Sequence, residues 1–252
     1  MTSPALLETD GLTKHFGELY AVNAVDLAIR EGETTAVIGP NGAGKTTLFN
    51  LVTRRMRADR GRVRFRGTDI TTATPHAVAR MGLVRTFQVS SVFPGLSVQQ
   101  NLLTAVLAHT GRSGVSTRSL GRERESLERV QELLVGLDLR DVANVACDEL
   151  AYGTRRRVEV GMALALEPRL LLLDEPTAGM GASERQATVE LLSELARRGD
   201  TTLVLTEHDV DLVMSVAQRI VVMHQGKIIA DGTPEEIVED TEVRRAYLGG
   251  SR

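Results

Sequence analysis

The sequence predicts an α/β fold, with a mainly parallel sheet as its core, an antiparallel β region ahead of it and a block of helices inserted into it. Three observations carry this. Short apolar runs of strand length, AVIGP at 36–40, LLLLDEP at 170–176 and TTLVLTEHD at 201–209, each lead towards a stretch of helical spacing. The chain opens on two consecutive strand-like stretches separated by a glycine. From about 90 to 165 the pattern turns helical, and strands resume only afterwards. The 252 residues are enough for a sizeable core.

Taken in order, residues 6–30 read as paired strands, LLETDGLTKHF and AVNAVDLAI, turning at Gly17. AVIGP is a short strand ending in a turn, and TTLFNLVTRRM after it has helical spacing. GRVRFRG at 61–67 alternates, with Arg62, Arg64 and Arg66 on one face and Val63 and Phe65 on the other, as in a half-exposed strand. QQNLLTAVLAHT and RESLERVQELLVGLDL are helical, and the Gly/Ser/Arg stretch GRSGVSTRSLG between them reads as a mobile loop. After LLLLDEP come a helix near 183–197, the TTLVLTEHD strand and a helix near 210–217. RIVVMHQGKIIADG closes the series as a hairpin turning at Gln225-Gly226.

Formal net charge is −3, from 30 Lys+Arg against 33 Asp+Glu. That balance gives no general electrostatic case for a nucleic-acid partner, and none is expected. The opening MTSPALLETDG lacks the basic and apolar regions of a signal peptide, and no run approaches the roughly 18 apolar residues of a membrane span. Cys147 is the single cysteine, so it forms no intrachain disulfide; it reads as a small filler in a reducing compartment.

GPNGAGKT at 39–46 fits G-x-x-x-x-G-K-[ST] at every fixed position, after an apolar strand and at the opening of a helix. Glycines 39, 42 and 44 allow backbone N–H groups to turn inward around phosphate oxygens, and the helix dipole adds to their attraction. Lys45 supplies positive charge to the β- and γ-phosphates, and the Thr46 hydroxyl is suited to Mg²⁺. LLLLDEP delivers Asp174 to the C-terminal end of a buried strand, where ligands bind in open α/β sheets. Asp174 is suited to Mg²⁺ or its water. Glu175 points elsewhere and is suited to polarising an attacking water. These motifs predict an ATP site.

With GPNGAGKTT, VRTFQ (84–88), LAYGT (150–154), LLLLDEP and TEHD on the page in that order, the chain resembles the ATP-binding subunits of ABC transporters. The resemblance implies a P-loop NTPase of ABC type spanning residues 6–249. Its RecA-like core covers about 6–89 and 166–249, and a helical signature subdomain covers about 90–165. It implies that Gly39, Pro40, Asn41, Gly42, Ala43, Gly44, Lys45, Thr46 and Thr47 bind the nucleotide. Phe16 resembles the aromatic residue that stacks on adenine, with a core phenylalanine as the equal alternative. Gln88 resembles the glutamine that meets Mg²⁺ or the attacking water and senses the membrane subunits. His208 resembles the histidine that contacts the γ-phosphate and orients the glutamate.

LAYGT stands where the family has Leu-Ser-Gly-Gly-Gln. Only Leu150 and Gly153 match, and Ala151 replaces the serine. The resemblance implies that Ala151 and Gly153 start a helix whose N–H groups face ATP held by a second ATP-binding subunit. Ala178-Gly179-Met180-Gly181 resembles the loop through which the two subunits communicate, with glycine at 181 where an aspartate is common. VRTFQ, LAYGxxRR, EHD and the final AYLG (246–249) are similar to the ATPases of branched-chain and related hydrophobic amino acid importers, and the loop at 110–122 fits their longer helical region. The partners so implied are a second ATP-binding subunit, integral membrane permease subunits and, through them, a solute-binding protein. The location implied is the cytoplasmic face of the membrane. Lipid or lipopolysaccharide exporter ATPases share much of the pattern. ABC-type ATPases of ribosomes or DNA usually carry two fused cassettes, a coiled coil or a basic arm, which this sequence lacks.

Overall fold

The structure is a computed structural model. It describes residues 5–86, 92–110 and 120–245, with the side chains of 120–123 excepted. Gln88, most of the Gly/Ser/Arg stretch and the AYLG at 246–249 lie outside the described residues.

The chain begins as an antiparallel sheet. β1 (Ala5–Phe16) and β2 (Leu19–Arg30) form a hairpin turning at Gly17, whose φ is 60°. β3 (Thr35–Ile38) leads through the glycine-rich loop into α1 (Lys45–Val52). β4 (Arg60–Phe65) and β5 (Thr68–Asp69) complete the first sheet, in the order β2-β1-β4-β5. Val63 and Phe65 are fully buried, as the alternation predicts. Arg66 does not join that strand's exposed face: its φ of 52° places it in the turn between β4 and β5.

α2 (Pro75–Arg80) and β6 (Leu83–Arg85) follow. α3 (Val98–His109), α4 (Leu120–Gly136), a 3₁₀ turn at Arg140–Val142 and α5 (Tyr152–Leu164) come before β7 (Leu170–Asp174). α6 (Ala182–Arg198), β8 (Thr202–Thr206), α7 (Val210–Val216), β9 (Arg219–His224), β10 (Lys227–Gly232), α8 (Pro234–Glu239) and α9 (Thr241–Val243) complete the described chain.

The second sheet runs β10-β9-β3-β8-β7-β6. All its neighbours are parallel except the β9–β10 hairpin. Because β6 and β7 are parallel neighbours, the three helices between them leave the sheet at one strand and return at the next. The period of two explains how one sheet serves two cores. Leu170, Leu172, Val204 and Val221 face α1 and the antiparallel sheet, in one cluster with Phe49 and Phe65. Leu171, Leu173, Leu203 and Leu205 face the other way, in one cluster with Leu102, Leu134 and Val158 of α3, α4 and α5. Strands buried on both faces have no polar side to show, hence the unbroken LLLL of β7.

In the helical block one buried amide ties several segments together. Asn101, fully buried on α3, accepts from the Phe93 N–H at 2.7 Å and donates to the carbonyls of Phe93, Leu96 and Ser97 and to Cys147 Sγ. Cys147 is buried, and that burial pushes its thiol pKa up. It is a filler, as the sequence suggests, rather than a reactive thiolate.

Candidate active site

The site gathers where β3, β7 and β8 end. The loop from Gly39 to Gly44 fits only a backbone without Cβ atoms at two points. A Cβ on Gly39, at φ 148°, would lie 2.1 Å from the Met223 carbonyl oxygen. One on Gly44, at φ 107°, would lie 2.1 Å from that of Ala21. The β9 end and the β2 strand therefore clamp the loop, and the glycines permit the clamp. Ala43 is buried, while Asn41, Gly42 and Thr46 are exposed at the loop's open side, with Pro40 and Thr47 half-buried. Lys45 begins α1, and its ammonium folds back over the loop, donating to the carbonyls of Gly39 (2.5 Å) and Pro40 (3.1 Å). Burial holds the Lys45 pKa below the ordinary lysine value, while the charges of Glu175 and Asp174 pull it back up.

Asp174 ends β7 with 1% of its side chain exposed. Both its oxygens are engaged: Oδ1 accepts from the Thr206 hydroxyl at 2.7 Å, and Oδ2 from Arg85 Nη2 at 2.5 Å. Glu175 adopts φ 48°, held there as its N–H donates to the Thr206 carbonyl at 3.0 Å. This left-handed turn sends the carboxylate away from Asp174 towards His208, whose Nε2 lies 2.6 Å from Glu175 Oε1. Asp174, Glu175, His208 and the phosphate loop are thus brought together. Phe16 lies at the end of β1, half exposed under the Lys14 ammonium, so the core alternative is excluded.

Three groups here were not singled out from sequence. Arg85, at the end of β6, links Asp174 to Asn50 of α1 (2.7 Å) and stacks over the Phe49 ring. Glu207 is buried; its Oε1 accepts from the Thr177 N–H and hydroxyl, and its Oε2 from the His208 N–H at 3.1 Å. It fastens the segment after Glu175 to the one bearing His208. No motif marks it, because its neighbour in TEHD draws the attention.

The third is Glu184. Ala151 is the N-cap of α5 and has no side chain to accept from the helix. The N–H of Gly153, which a serine at 151 would normally take, instead donates to Glu184 Oε1 of α6 at 3.1 Å. Glu184 Oε2 accepts from the Gly181 N–H at α6's own start. The sequence reading expects an open helix end at Gly153; in this chain the N–H is taken, and a Cβ at Gly153 would lie 2.8 Å from the Glu184 carboxyl. Gly179 lies beside the Tyr152 ring, and Met180 is buried.

The donor set fits a magnesium–nucleotide. Asp174 and Thr46 offer hard oxygens, and the described residues contain no cluster of three metal-ligating side chains. Mg²⁺ commonly binds through one or two carboxylates plus substrate phosphates, not in an all-protein cage.

A phosphate loop, a buried carboxylate and a paired glutamate–histidine at the carboxyl ends of a parallel sheet define an ATPase of the transporter-cassette class. The family profile described as "ABC transporter" matches residues 22–178, and that described as "Branched-chain amino acid ATP-binding cassette transporter" matches residues 227–252. The chain is 40% identical to the high-affinity branched-chain amino acid transport ATP-binding protein BraF of Pseudomonas aeruginosa, covering 98% of this chain and 99% of the relative. It is 41% identical to LivG of Escherichia coli, bearing the same description, over the same shares. The ADP conformation of MJ1267, an ATP-binding cassette of an ABC transporter, superposes with a TM-score of 0.85 at 30% identity, covering 98% of this chain and all of the other. The chain belongs to the ATP-binding proteins of ABC transporters, in the branched-chain amino acid group. It is an ATP-binding ATPase and part of a transporter complex. No helix among the described residues is long and apolar enough to cross a membrane.

Proposed function

We propose that the chain drives import of branched-chain or closely related amino acids by closing on a second ATP-binding subunit around ATP. The observation that carries the ATPase reading is the geometry of Glu175 and His208: a carboxylate turned out of the strand and held at 2.6 Å from an imidazole. In that place Glu175 accepts a proton from water and His208 orients it. Lys45 and the N–H groups of the loop hold the β- and γ-phosphates. Asp174 and Thr46 would hold Mg²⁺, which would supply positive charge to neutralise the phosphates. Phe16 offers its exposed ring to adenine. Gln88 contacts the metal–nucleotide and the permease.

Gly153 serves the partner's ATP. A head-to-tail pair places each α5 start against the other chain's phosphate loop. Closure then transfers the Gly153 N–H from Glu184 to a phosphate oxygen. The permeases dock beside Gln88 and the helical block on the cytoplasmic face of the membrane, and receive solute from a solute-binding protein. The full-length likeness to two branched-chain amino acid transport proteins supports the solute class.

The test is reconstitution of the chain with its permeases, partner ATPase and binding protein in liposomes. ATP-dependent uptake of labelled leucine is expected, and it disappears in Lys45→Ala. Normal ATPase activity without uptake of leucine, isoleucine or valine would refute the solute assignment.

A further inference from the structure

We propose that Arg85 is a positioning residue for Asp174: its guanidinium fixes the buried carboxylate in the orientation that receives magnesium. The inference rests on the reading of Asp174 as the magnesium carboxylate. Arg85 and Asp174 are both buried, with 8% and 1% of their side chains exposed, so neither charge has solvent to neutralise it. Nη2 donates to Asp174 Oδ2 at 2.5 Å and Nη1 to Asn50 Oδ1 at 2.7 Å, so one planar fork spans the end of β7 and the helix that begins at Lys45. The Phe49 ring beneath the guanidinium limits its rotation.

Each carboxylate oxygen carries two lone pairs. Arg85 occupies one position on Oδ2, and the Thr206 hydroxyl one on Oδ1. The carboxyl plane is set from both sides, with acceptor capacity left on each oxygen for a metal or its water. Such outer partners tune a metal ligand by fixing its direction. Without Arg85 the carboxylate would lose the donor on Oδ2 and be held by the Thr206 hydroxyl on Oδ1 alone, which frees it to rotate. Arg85 also ends β6, three residues before Gln88, so the fork ties the exit of that strand to the metal carboxylate.

The test measures ATP affinity of the full chain with a fluorescent nucleotide, in EDTA and in Mg²⁺, for parent, Arg85→Gln, Asp174→Asn and the double variant. Arg85→Gln is expected to leave affinity in EDTA unchanged and to weaken the gain on adding Mg²⁺ by roughly tenfold or more. The double variant should lose no more of that gain than Asp174→Asn alone, because Arg85 acts through the carboxylate. An unchanged magnesium gain in Arg85→Gln, or an increased one marking the guanidinium as a competitor, overturns the proposal. So does an equal loss in EDTA, which marks a purely structural role. If Asp174→Asn itself keeps the full gain, the magnesium reading fails and the proposal with it. Should Arg85→Gln not fold, Arg85→Lys asks the same question. An ammonium cannot span Asn50 and Asp174 with one fork, so its magnesium gain falls below the parent's, and a parental gain overturns the proposal.

Discussion

The start of α1, capped by Gly44, and the start of α5, with Gly153 in its first turn, are finished differently. At α1 the charged groups of the site converge from within the chain: Lys45 over its loop, Asp174 between Arg85 and Thr206, Glu175 beside His208. At α5 the cap position is an alanine, and a carboxylate borrowed from α6 holds the Gly153 N–H. The first end is equipped for a phosphate. The second is closed by the Glu184 carboxylate, which in the proposed dimer a phosphate from another chain would replace. One chain therefore carries two unlike halves, and the difference between them is a matter of what each helix end still lacks.

That contrast can be broken at either end. The largest effect is expected from Glu175→Gln, which keeps the shape and loses the basic oxygen; hydrolysis should fall by ~10²–10⁴-fold, with ATP still bound, as read by single-turnover assay against nucleotide affinity. Lys45→Ala should lower ATPase by about 10²–10³-fold and weaken ATP binding as well, so a fluorescent-nucleotide titration separates the two variants. Glu184→Ala is smaller. It removes the stand-in cap of α5 and half of the α6 capping box, costing about 0.5–2 kcal/mol, measurable by urea denaturation. The same variant should close on its partner more readily at limiting ATP if Glu184 competes with the phosphate.

The smallest effect is on protons. Burial lowers the Lys45 pKa in the free chain. The folded form therefore loses this proton at lower pH than the unfolded chain. The cost of burying the ammonium is present below the folded pKa and is relieved as pH rises through it. Bound phosphates favour the charged form, so ATP binding at alkaline pH should take up a fraction of a proton. Calorimetry in buffers of different ionisation enthalpy reads this, and Lys45→Ala should abolish it.

Much of this was legible because motifs constrain local backbone. The phosphate loop, β7 and the TEHD strand show glycine positions, apolar runs and terminal charges in register. The short elements were not legible. α2 and α8 open on Thr74-Pro75 and Thr233-Pro234, each with a capping threonine and proline at the first helical position, signals that mark their starts once sought. Arg85 and Glu207 matter through burial and a partner far along the chain, which a linear pattern does not display. Glu184 was hidden for the same reason. What the missing serine at 151 did announce was a vacancy at the cap, and the carboxylate that fills it lies 31 residues beyond Gly153.

The central claim is that Gly153 acts on a nucleotide held by another chain, and Gly153→Asp tests it most directly. The new side chain would meet Glu184 within its own chain and place a second negative charge where the partner's phosphate must come. Nucleotide affinity of the isolated chain and ATPase rate of the assembled transporter should be measured on the same variant. The account predicts parental affinity at the chain's own phosphate loop and a roughly hundredfold loss of hydrolysis. Parental hydrolysis, or an equal loss of monomer binding, would contradict it.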